Sequence, residues 1–161
     1  MSEEHWTGLV IAPDDRLDND LLLAITLATG STFEPLGRDD LGIVYAAGPE
    51  RIIEVECAEV GAKALFIRTR SLERTSAIIG SINRHTRTWT EQLLCTQLEQ
   101  SLAEDPYALV SLLMATGGMP PRPATSALLA RAVEHPDEQV RKAAGYAIRI
   151  SKAWTSFRVV S

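Results

Sequence analysis

Three histidines and two cysteines are the chain's scarcest reactive groups, and their spacing limits the catalysis it can hold. His5, His85 and His135 stand far apart, and none has a Cys, His or carboxylate at ligand spacing, so no metal site is expected. His135 falls in a turn where a polar residue serves to cap a helix. His85, within Arg84-His85-Thr86-Arg87, is the one candidate general base near cationic residues, but a base also needs an orienting partner and none is legible. Cys57 and Cys95 lack a basic neighbour that would lower a thiol pKa and read as small, reduced core residues. There is no Gly-x-Ser-x-Gly elbow, Walker loop or Gly-x-Gly-x-x-Gly fingerprint, and Gly117-Gly118 runs into Met119-Pro120-Pro121, which builds a turn. No catalytic residue and no cofactor are expected, which leans away from an enzyme.

Charge is more informative. The net charge of −5 divides unevenly: residues 1–63 carry thirteen acidic against four basic groups, and residues 64–161 eight against twelve. The run Asp14-Asp15-Arg16-Leu17-Asp18-Asn19-Asp20 is rich in oxygen ligands but lacks the spacing and glycine of a calcium-binding EF-hand loop, so it reads as the acidic start of a helix. Asp14, Asp15, Asp18 and Asp20, with Asp39 and Asp40, are the candidate partner-binding residues, fitted to a protein with a basic surface. Arg68, Arg70, Arg74, Arg84 and Arg87 could line one side of a strand-to-helix junction and read as solvated or salt-bridged surface, the alternative being a patch for phosphate or an acidic surface. Without interleaved aromatics, and with a pI of 5.2, they disfavour nucleic acid as a partner.

At 161 residues, 45% hydrophobic and 23% charged, the chain is long enough for a real core and has no run of about 18 apolar residues for a membrane span. The acidic start, Met1 to Trp6, has no apolar segment resembling a signal peptide, so the expected location is cytoplasmic, without a membrane.

Residues 6–12 read as a strand closed by Pro13, and residues 20–29 as a helix stopped by Gly30, apolar nearly all round and so buried on more than one side. Runs over 32–36, 41–47, 51–57 and 64–70, separated by turn residues, predict an antiparallel meander, with Glu54 and Glu56 forming a wet face of the third run. Ser71 is expected to cap a helix to about residue 84. From residue 89 the pattern is helical, over about 89–103, 106–116, 123–134 and 137–151. In the last pair Leu128, Leu129, Ala132 and Val133 face Val140, Ala144, Ala147 and Ile148, and Pro136 takes the first turn of the final helix.

Residues 98–118 and 128–148 read alike at an offset of thirty, with Glu104, Pro106 and Val110 matching Glu134, Pro136 and Val140. The later copy, from His135 through Asp137, Val140-Arg141 and Ala143-Ala144 to Ile148, resembles the turn and second helix of a HEAT repeat. The earlier copy has Ser111 where Arg141 stands. The resemblance covers the last third and implies a scaffold, with Arg141 structural.

The expected fold is therefore α+β: an N-terminal antiparallel sheet with helices over residues 1–88, followed by two HEAT-like helical hairpins packed against it over residues 89–161. The apolar tail with Trp154, Phe157, Val159 and Val160 is expected to pack back or meet a partner. Two repeats bury too little surface to stand alone, so the array must lean on the sheet. The expected function is a non-enzymatic protein-protein interaction module, in its narrower form an acidic inhibitor or immunity-type protein that masks a cationic partner. The alternative is a small-ligand sensor or enzyme with a pocket between the sheet and the helical array.

Overall fold

The computed structural model describes residues 5–38 and 42–155. Through the first half the expected order of elements is the observed one: β1 (His5–Ile11), α1 (Asn19–Thr29), β2 (Glu34–Arg38), β3 (Gly42–Ala47), β4 (Glu50–Cys57), β5 (Ala62–Thr69) and α2 (Leu72–His85). Turns with Gly48 at φ 60° and Gly61 at φ 66° let β3, β4 and β5 fold back on one another as hairpins. The first strand then inserts beside β5, and every pairing in the sheet is antiparallel. A two-residue strand, β6 (Thr88–Trp89), pairs with Val10 and Ile11 and completes the order β2-β3-β4-β5-β1-β6. Trp89 was expected to open a helix. Instead the Thr90 hydroxyl accepts the Leu93 N–H at 3.2 Å, which delays α3 to Glu91–Ser101.

The rest of the chain is α4 (Ala108–Met114), α5 (Pro123–Val133) and α6 (Glu138–Trp154). These helices form two pairs, α3 with α4 and α5 with α6, stacked so that α4 meets α6 and α3 meets α5. The chain is thus an α+β fold with helices on both faces of a six-stranded antiparallel sheet.

Strand alternation sorts the core into two layers. Leu9, Ile11, Ile52, Leu65 and Ile67 meet Leu21 and Ile25 of α1 and Ile78 and Ile82 of α2. Val10, Ile53, Val55, Ala64 and Phe66 face the other way, into the helices after residue 90. The expected wet face of β4 holds at Glu56, which is exposed, and fails at Glu54, which is only 9% exposed and whose carboxylate accepts the Leu17 N–H at 3.0 Å beneath the α1–α2 layer. The structure also corrects α1, which buries only Leu21 and Ile25 while Leu23 and Leu27 are 59% and 80% exposed. With a sheet beneath and α2 at one side, an isolated surface helix needs a single apolar stripe inward.

The second layer is built around α4, whose Leu109, Val110, Leu112, Leu113 and Met114 are all buried. Its C-terminal end sits on β1 at Gly8, where an added Cβ would lie 2.3 Å from the Met114 carbonyl oxygen and 2.6 Å from the Gly117 nitrogen. Gly117 returns the contact at φ 63°, with its own would-be Cβ 2.6 Å from the Thr7 carbonyl carbon. Further along, α6 runs past its expected end so that Trp154 is buried edge-on against Phe66, ring centroids 6.1 Å apart. Phe157, Val159 and Val160 lie outside the described residues.

Two details of the last pair differ from expectation. Asp137 caps α6 by accepting the Gln139 N–H, which leaves Pro136 before the cap, outside the first turn. Val133 is 43% exposed, since α5 turns Leu128 and Ala132, four residues apart on one face, inward and leaves Val133 beside that face.

Gly8→Ala should therefore destabilise the fold by about 3 kcal/mol, because backbone rather than a flexible side chain opposes the new methyl group. Gly145→Ala, in α6 with open space around it, should instead stabilise by roughly 0.5–1 kcal/mol. Urea unfolding of both variants checks the pair. Equal effects would mean that α4 does not seat on β1.

Candidate functional site

The chain folds its acidic run around the start of α1. Asp18 is the N-cap, accepting the Leu21 N–H at 2.9 Å, and Asp20 lies in the first turn, where a carboxylate is favoured by the helix dipole. Asp15 is tied down twice: its backbone oxygen accepts from Lys63 Nζ at 2.9 Å, and its carboxylate accepts the Thr86 hydroxyl. Asp14, Asp18 and Asp20 are exposed. Four of the six candidate residues are thus brought together at one helix end, two of them also holding local structure. Asp39 and Asp40 lie outside the described residues. On the same helix Asp20, Leu23 and Leu27 follow one another at three- and four-residue steps, so they share the outward face.

The arginines do not form one patch. Arg68 points into the layer of α3 to α6, is 4% exposed, donates to the Pro49 carbonyl oxygen from Nη2 at 2.8 Å and lies over the Trp6 ring at 5.4 Å. Arg74 is aimed at the opposite layer. Its Nε donates to both Glu50 oxygens at 2.7 and 2.9 Å, and its terminal nitrogens reach the Thr29 carbonyl and the Ser31 hydroxyl, locking the exit of α1 to the entry of α2. Arg87 stacks over Trp89, and Arg70 and Arg84 are exposed. Arg141 donates to the His135 and Pro136 carbonyls and so braces the turn before its own helix.

Glu50 is 1% exposed, and the sequence offered no sign of it, because its partner is twenty-four residues away. Burial pushes its carboxyl up, but the Arg74 hydrogen bonds, the Arg70 N–H and the two guanidinium charges outweigh that and hold it below the usual glutamate range.

A second cluster missed in sequence joins the β4–β5 turn to α6. The Tyr146 hydroxyl donates to the Glu59 carboxylate at 2.6 Å and lies 3.5 Å from Cys57 Sγ, while Tyr107 meets the Tyr146 ring edge-on at 6.0 Å. Donation to Glu59, with the thiol alongside, raises the phenol above its ordinary pKa, which opposes any role as a base. Cys95 is buried, and desolvation raises its thiol too.

His85 Nδ1 is 2.9 Å from the Ser81 carbonyl of its own helix, and His135 Nδ1 accepts the Asp137 N–H at 3.0 Å, so both rings serve local turns. Among the described residues no three His, Cys, Asp or Glu side chains gather closely enough to hold a metal ion. No helix among them is long and apolar enough to cross a membrane. A cleft of about 300 Å³ opens between the two helical layers where Thr7, Gly8 and Leu9 reach the sheet's edge. No family model, no curated protein and no solved structure matches the chain.

Glu50→Gln should cost about 2 kcal/mol at pH 7, since it leaves Arg74 without its charged partner. A carboxyl whose pKa is depressed on folding stabilises fully above its unfolded value, near 4.3, and that stabilisation is lost as pH falls through the lower folded value. The stability gap between parent and variant should accordingly narrow below about pH 4. A gap that stays constant down to pH 2 would show that the pair is not ionised.

Proposed function

We propose that this chain is a non-enzymatic protein-binding module that meets a partner of basic surface through the outer face of α1. The observation that carries this reading is the stripe on that helix: Leu23 and Leu27, 59% and 80% exposed, share the outward face with Asp20, and the exposed Asp14 and Asp18 precede it at the helix start. Apolar anchors rimmed by charge of one sign are what a protein interface uses, the anchors for residence time and the charge for encounter. In its narrowest form the protein is an inhibitor or immunity-type protein in the cytoplasm, whose acidic helix end covers a cationic active site.

The helical layer reads in the same sense, as a HEAT-like scaffold of two repeats. Support comes from matched positions: Leu98 and Leu128 are both buried, as are Val110 and Val140, thirty residues apart. Stacked helical repeats of this kind present extended surfaces for binding.

The test compares the parent with two variants chosen to leave the fold intact. Leu23→Gln with Leu27→Gln keeps helix propensity, and Asp14→Asn, Asp18→Asn and Asp20→Asn together keep the cap. Immobilised parent should capture a basic protein from cell extract. The glutamine variant should lose it at least tenfold, and the asparagine variant should associate more slowly and with less dependence on salt, as screening shortens from about 10 Å at 0.1 M to about 3 Å at 1 M. Identical capture and salt-independent rates for all three would reduce the stripe to solvated surface.

A further inference from the structure

We propose that the open edge of β1 is a docking slot for an extended peptide segment of another protein, distinct from the face of α1. The strand β6 covers only Val10 and Ile11, and opposite residues 5–8 no further strand lies among the described residues. In an antiparallel strand alternate residues turn their N–H and C=O to each side, so half of this segment's backbone groups point away from β5 with no strand to receive them. The chain itself shows that the edge accepts a strand: β6 runs antiparallel along it until Thr90 turns away to begin α3. A peptide taking up the ladder there would pair over about four residues, roughly 13 Å of extended chain.

The shape of the slot selects the occupant. Thr7, Gly8 and Leu9 of this edge line the 300 Å³ cleft, with Ile79 of α2 contributed by one helical layer and Glu91, Gln92 and Arg122 by the other. An edge recessed between two helical layers admits a single strand. It does not admit the matching edge of a second copy, whose own α2 and α3 would have to pass through these walls. The two walls also differ in chemistry. Ile79 offers an apolar side. Opposite it, Gly8 has no side chain, and Glu91 uses one carboxylate oxygen to accept the Arg122 N–H at 2.9 Å and the Thr125 hydroxyl at 2.6 Å. Gln92, also lining the cleft, accepts from Arg122 Nη1 at 3.2 Å, so this side is polar. The matching segment alternates apolar side chains towards α2 with small polar ones towards α3, the recognition mode of strand addition to a sheet edge.

The experiment pans a phage-displayed library of random hexapeptides against the full-length chain, with two slot variants as counter-selection. Ile79→Lys charges the apolar wall, and Gln92→Trp, at an exposed rim position, fills the slot without touching the core. Recovered sequences, synthesised with and without N-methylation at alternate residues, are titrated while amide hydrogen exchange is followed. Expected are peptides of alternating apolar and polar pattern, exchange slowed at least tenfold at alternate amides of residues 5–8, and at least tenfold weaker binding both to the folded slot variants and by the N-methylated forms. Three outcomes would each overturn the proposal: no sequence enriched over the variants, N-methylated peptides that bind equally well, or protection of residues 5–8 that arises from dimerisation without peptide.

Discussion

The helices after residue 90 come closest to the sheet at one backbone-to-backbone approach, the end of α4 on β1 at Gly8, around which their other contacts gather. Helices ordinarily stand about 10 Å from a sheet, spaced by side chains. Here two glycines, Gly8 and Gly117, remove the spacer from both sides, and a methyl group on either would overlap main-chain atoms. The approach lets Leu109, Leu112 and Met114 reach full burial against Val10, Ala64 and Phe66, and it brings α6 near enough for Trp154 to close over Phe66. The core layer so formed draws residues from β1, β4, β5 and four helices, so neither the sheet nor the helical pairs have a finished interior alone.

That seating also explains where the charges go. Where helices cover the sheet, the carboxylates and guanidinium groups that its central strands bury must find a partner within the fold. Glu54 takes the Leu17 N–H, Glu50 takes Arg74, and Arg68 takes the Pro49 carbonyl and the Trp6 ring. The acidic excess of the first 63 residues is therefore partly internal. Outside, Asp14, Asp18 and Asp20 gather at the start of α1, a helix that also exposes Leu23 and Leu27, and that helix carries the proposed contact with a basic partner. The second candidate surface is a by-product of the same two-sided cover, since helices on both faces leave the short-paired edge of β1 as the floor of a slot.

The order of strands and helices through residue 85 was legible because turn residues punctuate it: Pro13, Gly30, Gly48 and Gly61 each end an element where the backbone must reverse or stop. The α+β class and the need of the helical pairs for support followed from the same patterning. Errors arose where tertiary cover overrides local pattern. Alternation in β4 promised a wet face, but Glu54 lies under the α1–α2 layer while Glu56 stays exposed, and an all-apolar α1 promised deep burial that only Leu21 and Ile25 reach. The acidic cluster could be read because its members are neighbours in sequence. The Glu50–Arg74 pair, the Tyr146–Glu59–Cys57 group and the slot beside Gly8 could not, because each joins parts of the chain far apart in sequence, from 24 residues for the first to 87 and 89 for Tyr146 with Glu59 and Cys57, and no periodicity connects them.

The claim on which the account rests is that sheet and helical pairs are one cooperative body joined at Gly8. Native-state hydrogen exchange in low concentrations of denaturant measures this directly. The slowest amides of β5, α4 and α6 should share one opening free energy and one denaturant dependence, equal to those of global unfolding. If the amides of α4 and α6 instead exchange through a lower-energy opening that leaves β5 protected, the helical layer is a separable unit and the seat on β1 does not hold the fold together.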